Sequence, residues 1–463
     1  MILKNAKIYS EGLIHKGIIL IDNGIIKKII FYPKKKDSEK LAKKDSEDVE
    51  LDCEDRLILP GIIDIHSHLR DMGQSEKETF LTGTKAAAFS GITTVFNMPN
   101  TIPPAITAEQ VEKWMDQAKD NIFVDVGFIA GIPKKINYKE IIKIIDLGVF
   151  GFKIYPLHSL NDVDWTDSLN IRKILTISSK LQIPIFIHAD WLLSENKRAE
   201  LYRDFILERY AFLKFHNNLF PADREAEYVN FILENYYKII IDNKLEPKDY
   251  PIVHFCHISC KDSYALIQRA LNNYNNLKIT FEITPHHLLL SNEIKLDNPN
   301  HGKVLPPLRD QEHSLFLFEE LRKGRVKLIC TDHAPHTIEE KIDEFDAPSG
   351  FPGFETYPVL FLDKVSKYEL PLENFVAVSS QNPANIFNLK GKGYIKEGYE
   401  ANLLIVDKVP EYVIDPQNFK TKAKFSPYEK FTSNIQIWKV FLRGIEINSA
   451  NSVPTGKIIK RML

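Results

Sequence analysis

The sequence predicts an α/β protein, a (β/α)8 TIM-like barrel that carries a small β-sandwich domain built from both ends of the chain. Two observations support this fold class. Eight apolar segments recur between residues 57 and 336, and amphipathic segments such as TAEQVEKWMDQAKD separate them. Further strand-like segments stand before and after these eight, near the two chain ends. Parallel strands buried on both faces form near-continuous apolar runs, and eight strand–helix units make a barrel.

Residues 1–56 are expected to form the N-terminal part of the sandwich domain. The segments ILKNAKIYS, KGIILIDNG and IKKIIFY have strand character, and Asp22-Asn23-Gly24 supplies a hairpin turn. The run over residues 33–50 is charged and almost free of apolar residues, which indicates a solvated, mobile loop.

Residues 57–389 are expected to form the barrel. Its strand candidates are, in order, LILPGIIDIHSH, GITTVFNMP, IFVDVGFIAG, GVFGFKIYP, IPIFIHAD, YPIVHFCHIS, LKITFEITPHHL and VKLICTDHAPH. The stretch over residues 191–249 is longer than one crossover needs, so we expect extra helices there.

Residues 390–463 are expected to complete the sandwich domain. The segments GKGYIKEGYEANLLIVD and NIQIWKVFLRGIEI again have strand character but no partners within the barrel. We therefore expect the two ends of the chain to pair with each other.

Composition narrows the class of protein. The 463 residues include 60 basic and 62 acidic side chains, a net charge of −2, which gives no reason to expect nucleic acid or a membrane surface as a partner. No apolar stretch approaches the roughly 18 residues of a spanning helix, and no signal peptide is evident. Only four cysteines are present, which favours reduced thiols and a cytoplasmic location.

Polar side chains recur where the barrel strands end, and barrel enzymes keep their active sites on that face. His66 and His68 end the first strand two residues apart, so both imidazoles point to one side and can reach one ion. Later strands end in Lys153, His188, His257 and Asp332. A buried lysine can react with carbon dioxide to give a carbamate, whose two oxygens suit a bridge between metals. His254 precedes His257 by three residues and points to the opposite face, so we expect a structural role for it.

This constellation resembles the binuclear zinc centre of the amidohydrolase superfamily, over nearly the whole chain. The resemblance implies two Zn²⁺ ions per chain, since zinc suits nitrogen and oxygen ligands. It implies that the more buried zinc is held by His66, His68 and Asp332, the more exposed zinc by His188 and His257, and that N6-carboxylated Lys153 bridges the two. By the same resemblance, Asp332 is the catalytic acid and base.

The neighbouring motifs HSHLR, NMPNT and DHAPH resemble those of the dihydroorotase family. That resemblance implies that Arg70, Asn100 and His336 hold the carboxylate of the substrate. Arginine suits the task because it grips a carboxylate with two parallel hydrogen bonds and keeps its charge. The implied reaction is the reversible hydrolysis of dihydroorotate to N-carbamoyl-L-aspartate in pyrimidine biosynthesis.

The sequence also departs from that family pattern. Asp71-Met72-Gly73 lacks a proline common after HLR, Asp190 stands where relatives often have glutamate, and Leu305 replaces a polar residue of the KVNPPLR motif. Leu305 offers a ring substrate only backbone hydrogen bonds and apolar contact. An allantoinase, a hydantoinase or dihydropyrimidinase, and an inactive scaffold for aspartate carbamoyltransferase remain as alternatives. A homodimer and an association with aspartate carbamoyltransferase also stay open.

Overall fold

The computed structural model describes residues 1–32, 49–208, 211–274, 276–343 and 345–462. Most of the predicted charged loop over residues 33–50 lies outside these ranges. The strands are β1 Ile2–Ser10, β2 Leu13–Asp22, β3 Ile25–Phe31, β4 Glu50–Asp52, β5 Leu57–Pro60, β6 Ile62–Ser67, β7 Ile92–Asn97, β8 Asp125–Gly131, β9 Gly151–Ile154, β10 Ile185–His188, β11 Val253–Cys256, β12 Ile279–Phe281, β13 Leu403–Val413, β14 Thr432–Leu442 and β15 Ile445–Glu446.

The two ends of the chain share one eight-stranded sheet, in the order β15-β14-β13-β5-β1-β2-β3, with β4 also paired to β1. The strand β5 joins the ends because it pairs parallel with β1 and antiparallel with β13, where Leu57 lies opposite Val406. Apolar side chains including Leu3, Ile58 and Leu403 form a core beside this sheet that is separate from the core around the barrel helices. The expected pairing of the chain ends is confirmed.

The first predicted strand, residues 57–68, is in fact two strands, and this corrects the sequence interpretation. Leu57–Pro60 belongs to the chain-end sheet, whereas Ile62–Ser67 begins the barrel. Gly61 marks the break, and its N–H donates to the carbonyl of Asn402. A Cβ at Gly61 would lie 2.3 Å from Thr93 Oγ1, so only glycine permits this close approach.

The barrel contains seven parallel strands, in the order β6 to β12. The eighth segment forms single bridges instead of a regular strand: Ile329 pairs with Ile283 beside β12, and His333 pairs with Ser67 of β6. The buried Asp64 strengthens the second junction by accepting from the N–H of Thr331 at 3.0 Å. The eighth segment therefore closes the ring, and the predicted α/β barrel with a domain from both chain ends is confirmed.

Helices surround the barrel strands. They are α1 Phe80–Phe89, α2 Ala108–Ala118, α3 Tyr138–Asp146, α4 Ser168–Leu181, α5 Glu195–Glu208, α6 Phe212–Leu219, α7 Ala222–Asp242, α8 Lys261–Asn273, α9 Pro285–Leu289, α10 Gln311–Arg322, α11 Tyr357–Ser366, α12 Leu372–Val376 and α13 Asn382–Ile386. Three of them, α5 to α7, fill the stretch where extra helices are expected. Within the described ranges, no helix combines the length and apolar character needed to cross a membrane.

A buried ion pair fastens this helical insertion to the barrel. Glu225 on α7 lies 3.2 Å from Arg309, and both side chains are almost fully buried. Arg309 also donates to Ser259 Oγ at 2.8 Å, just beyond β11. A buried pair of this kind is satisfied by additional hydrogen bonds, so the position of the insertion is well defined.

Candidate active site

A cavity of about 380 Å³ opens at the carboxyl ends of the barrel strands. Eight of the nine residues singled out from the sequence line it: His66, His68, Arg70, Asn100, His188, His257, Asp332 and His336. The ninth, Lys153, is buried beneath it, with Nζ 5.1 Å from the ring of Tyr155, which does line the cavity. Side chains separated by up to 270 positions in the chain thus meet at one face, as the barrel fold predicts.

The first group of converging atoms comprises His66, His68 and Asp332. Asp332 Oδ1 lies 3.3 Å from His66 Nε2 and 3.1 Å from His68 Nε2. His68 Nδ1 donates to Asn100 Oδ1 at 2.6 Å, and His68 Nε2 therefore carries a lone pair when the ring is neutral. Burial, foremost, lowers the pKa of His68 to about 4 and keeps it neutral. These three side chains therefore bring their ligand atoms close enough together to hold a metal ion.

The second pair comprises His188 and His257. His188 Nδ1 lies 3.0 Å from His257 Nε2, and the ring centroids are 4.5 Å apart. Burial, together with the charge of Lys153, holds the pKa of both imidazoles well below the ordinary value. Neutral imidazole is the form that binds metals, and each ring can offer a lone pair to a shared ligand when its proton lies on the other nitrogen.

Lys153 stands between these two groups in the barrel, on β9 next to β10. Its Nζ is buried and has no hydrogen-bond partner in the parts of the chain that the structure describes. Burying an ammonium group without a partner is costly, so a native protein keeps one only when something else satisfies it. A carbamate on this nitrogen would exchange the unpaired donor for two acceptor oxygens, the ligand type that zinc accepts.

The sequence interpretation missed Glu282, which follows β12. Its Oε1 accepts from His66 Nδ1, and its Oε2 accepts from His254 Nε2 at 3.1 Å. Although burial opposes ionisation, His66 and His254 hold the pKa of Glu282 well below the ordinary value. The charge of Glu282 in turn raises the pKa of His66 to about 10, again against burial. Glu282 therefore fixes the ring of His66 with Nε2 towards Asp332, as an outer carboxylate does for a metal-bound histidine.

One signal of Glu282 was present in the sequence, since it is the only charged residue of the apolar segment ITFEITP. His254 does not line the cavity, and its Nδ1 accepts from Thr280 Oγ1 at 2.8 Å. A further set of ligand atoms, from His66, Cys256 and Glu282, lies within 4.8 Å of one another in the same buried region.

Arg70 and His336 line the same cavity, and we call this part of its lining the cationic wall. Arg70 is 7% exposed, donates through Nε to the carbonyl of Pro335 at 3.1 Å and places Nη2 3.0 Å from His336 Nε2. Burial lowers the pKa of Arg70 to about 10, so the guanidinium stays charged near neutral pH. Arg70, Asp71 and Met72 all have positive φ angles between 52° and 56°, an uncommon run that turns Arg70 back over the cavity.

Asn100 has a place in the site that the sequence did not predict. Its side-chain oxygen accepts from His68, so the oxygen is already occupied. Recognition of an anion would fall to the amide nitrogen of Asn100, which can only donate. Asn100 thus connects the two halves of the site, because it also fixes the ring of His68.

Apolar groups complete the cavity, among them Tyr155, Leu157, Leu160, Val304 and Leu305. Leu305 lies at the position where only apolar and backbone contacts are expected. Its loop is held by His287, whose Nε2 donates to the carbonyl of Pro306 at 3.1 Å.

Asp190, the other departure from the family pattern, does not line the cavity. It accepts from the N–H of Trp191 at 2.7 Å and is buried.

Comparison with known proteins places this site in a family. The model of the amidohydrolase family matches residues 57–445. Dihydroorotase of Methanosphaera stadtmanae is 32% identical over 439 residues, which cover 93% of this chain and 92% of that protein. Dihydroorotase of Methanosarcina acetivorans is 34% identical, over 92% of this chain and 87% of that protein. Dihydroorotase of Pyrococcus horikoshii is 34% identical, over 84% of this chain and 80% of that protein.

Solved structures show the same fold at lower identity. The L-hydantoinase (dihydropyrimidinase) of Arthrobacter aurescens superposes with a TM-score of 0.86 at 24% identity, over 99% of both chains. The D-hydantoinase (dihydropyrimidinase) of a Thermus species gives 0.84 at 21% identity, over 99% of this chain and 98% of that one. These likenesses concern the fold alone. The family match and the relatives above 30% identity establish that the chain belongs to the amidohydrolase family, in its dihydroorotase branch.

Proposed function

We propose that this chain is a dihydroorotase, which interconverts dihydroorotate and N-carbamoyl-L-aspartate. The observation that carries the proposal is one cavity that joins a cluster of converging metal ligands to a buried arginine, Arg70. A hydrolase for neutral ring amides has no need of a buried cation in the lining of its cavity. The dihydroorotase names of the relatives support the same substrate.

The cofactor we propose is a pair of zinc ions. His66, His68 and Asp332 would hold one ion, His188 and His257 the other, and carboxylated Lys153 would bridge them. The close approach of these ring nitrogens and the Asp332 carboxylate, together with the unpartnered Nζ of Lys153, supports this assignment. When bound, zinc supplies a Lewis acid and lowers the pKa of water towards neutrality.

Asp332 is the acid and base of the proposed reaction. Burial opposes its ionisation, but the imidazoles of His66 and His68 hold its pKa below the ordinary value, so it is a carboxylate at neutral pH. It takes a proton from the attacking water as the water oxygen bonds to the ring carbonyl carbon. When the carbon–nitrogen bond breaks, Asp332 returns that proton to the leaving nitrogen. The same steps in reverse release water and close the ring.

The cationic wall orients the substrate. Arg70 is placed to grip its carboxylate in two parallel bonds, and His336 and the amide nitrogen of Asn100 are placed to donate beside it. Holding the carboxylate at this wall directs the ring amide towards Asp332, because both groups line the same cavity.

A substrate panel tests the proposal. Initial rates are measured for dihydroorotate, dihydrouracil, hydantoin and allantoin with zinc-replete protein, together with the zinc content. We expect dihydroorotate to be preferred by orders of magnitude and zinc to approach two ions per chain. Preference for an uncharged ring would favour the hydantoinase alternative, preference for allantoin would favour the allantoinase, and absence of turnover would favour the inactive scaffold.

Location and assembly complete the proposal. The four cysteines are all free and buried, which supports a reducing, cytoplasmic compartment. We further propose a homodimer that associates with aspartate carbamoyltransferase. Size-exclusion chromatography with light scattering, of the chain alone and mixed with that enzyme, tests both statements. A monomer whose elution does not change in the presence of the transcarbamoylase would contradict them.

A further inference from the structure

His336 has partners on both ring nitrogens, and each nitrogen faces both a donor and an acceptor. Nε2 lies 3.0 Å from Arg70 Nη2 and 3.2 Å from the carbonyl of Ser349. Nδ1 lies 3.2 Å from Glu340 Oε2 and 3.4 Å from Lys77 Nζ. A neutral imidazole carries one proton, so it donates through one nitrogen and accepts through the other. Two arrangements of the ring proton are therefore satisfied at this position.

Lys77 and Glu340 form an ion pair above the ring. Lys77 Nζ lies 2.6 Å from Glu340 Oε1, and their side chains are 17% and 31% exposed. Lys77 comes from the segment after β6, and Glu340 from the segment after the eighth barrel segment. Glu340 is itself held in place, because its Oε2 accepts from the N–H of Thr337 at 3.1 Å. The pair thus ties two loops together directly beside the cavity.

The shorter contacts decide the arrangement in the free protein. The ring proton lies on Nδ1 and is donated to Glu340, while Nε2 accepts from Arg70. On Nε2 the contact to Arg70 (3.0 Å) is shorter than the contact to Ser349 (3.2 Å), and on Nδ1 the contact to Glu340 (3.2 Å) is shorter than the contact to Lys77 (3.4 Å). A substrate carboxylate changes the requirement, since it accepts only. His336 must then present a proton on Nε2.

The charges around His336 disfavour a second proton. Arg70 and Lys77 face it from the segment after β6, and Lys341 and Glu340 from its own loop. Burial first, and then the charges of Arg70, Lys341 and Lys77, hold the pKa of His336 well below the ordinary value. The ring is therefore neutral at working pH, and donation to a carboxylate calls for the other tautomer.

We propose that the Lys77–Glu340 ion pair is a positioning pair for substrate binding, which lets neutral His336 accept from Arg70 in the free protein and donate to the substrate carboxylate in the complex. On binding, one proton leaves Nδ1 and one arrives at Nε2 through solvent, so net proton uptake is zero. Lys77 then donates to the Nδ1 lone pair, and Glu340 keeps Lys77 in reach. This inference rests on the proposed function, because it takes dihydroorotate as the ligand.

The experiment compares Lys77→Met, Lys77→Arg and a control, Lys113→Met, which breaks an exposed ion pair on α2. KM and kcat for dihydroorotate are measured from pH 6 to pH 9, with zinc content and Tm for each protein. In Lys77→Met the Nδ1 lone pair loses its donor and is left unpaired in the complex unless the ring takes up a second proton there. We expect KM to rise about tenfold at pH 8, the size of effect that follows from leaving a buried acceptor unpaired.

The pH dependence separates this role from a merely structural one. Binding that takes up a proton weakens as the pH rises, so 1/KM of Lys77→Met should fall with pH, by at most about tenfold per unit. Wild type and Lys113→Met should lack that added slope, and kcat should change less than threefold. Lys77→Arg keeps a donor and should restore KM to within threefold.

Three results would overturn the inference. The first is a Lys77→Met protein that matches Lys113→Met in KM at every pH. The second is a loss confined to kcat, and the third is an equal loss in Lys77→Arg. If wild type itself does not turn over dihydroorotate, the proposed function fails and this inference fails with it. Normal turnover by wild type with an unaffected Lys77→Met overturns the positioning role alone.

Discussion

Replacement of Arg70 by methionine tests the cationic wall most directly. Arg70 is 7% exposed, and methionine keeps most of its aliphatic stem but removes the guanidinium that donates to Pro335 and His336. Truncating one partner of a buried, hydrogen-bonded charge pair typically costs about 2–5 kcal/mol. At about 1.4 kcal/mol per decade, kcat/KM for dihydroorotate should fall roughly thirty-fold to several-thousand-fold.

The assay measures kcat/KM on dihydroorotate and on dihydrouracil, with zinc content and Tm for each protein. Turnover of dihydrouracil should be nearly unchanged, because that ring has no carboxylate, and zinc content should stay at the wild-type level. Arg172→Met, on α4, controls for the loss of one positive charge from a half-buried arginine. Wild-type turnover of dihydroorotate by Arg70→Met would refute the anion-binding role and leave a cyclic amidohydrolase of undefined substrate.

Four further predictions concern single side chains. Lys153→Ala should lose most turnover and regain part of it with added short carboxylic acids; a fully active variant would show that no carbamate is needed. Asn100→Ala should weaken dihydroorotate turnover less than Arg70→Met does, since a neutral amide contributes less than a guanidinium; a larger loss would contradict this ranking. Glu282→Gln should lower zinc affinity by about 10–100-fold in a chelator competition, because the ring of His66 loses its anchoring carboxylate; unchanged affinity would disprove that role. Burial raises the pKa of Asp190 from 3.8 to about 7, so the folded state binds this proton more tightly and wild type loses stability as the pH rises through that interval. Asp190→Asn escapes this loss, and its Tm relative to wild type should be higher at pH 8 than at pH 5; an equal difference at both values would contradict it.

The sequence predicted the members of the site better than their connections. Barrel strands are near-continuous apolar runs that are buried on both faces, so histidines at strand ends are visible as breaks in those runs. The contact between His66 and Glu282 joins residues 216 positions apart, and only the closed barrel brings them together. The same holds for Lys77 and Glu340, which read as ordinary surface charges in the sequence.

The predicted strand boundaries were wrong where contact with a residue far away in the chain sets the end of the strand. Residues 57–68 read as one apolar run, and the break at Gly61 exists because Thr93 packs against that backbone. The eighth barrel segment is likewise apolar enough for a strand. It forms single bridges because its residues around Asp332 turn into the cavity, and Asp332 itself adopts a left-handed φ of 49°.

The sheet shared by the chain ends has a consequence for how the protein is made. The strand Leu57–Pro60 needs Leu403–Val413 as its neighbour, so during synthesis nearly 350 residues are added before that partner exists. Until then, this side of the N-terminal strands is an unpaired edge beside apolar side chains, the kind of surface that recruits other nascent chains. The entropic cost of closing so long a loop grows only slowly with its length. The risk of aggregation is therefore set by the time that passes before Leu403–Val413 is synthesised, and not by the length of the loop. Slower translation of residues 60–400 should therefore lower the soluble yield.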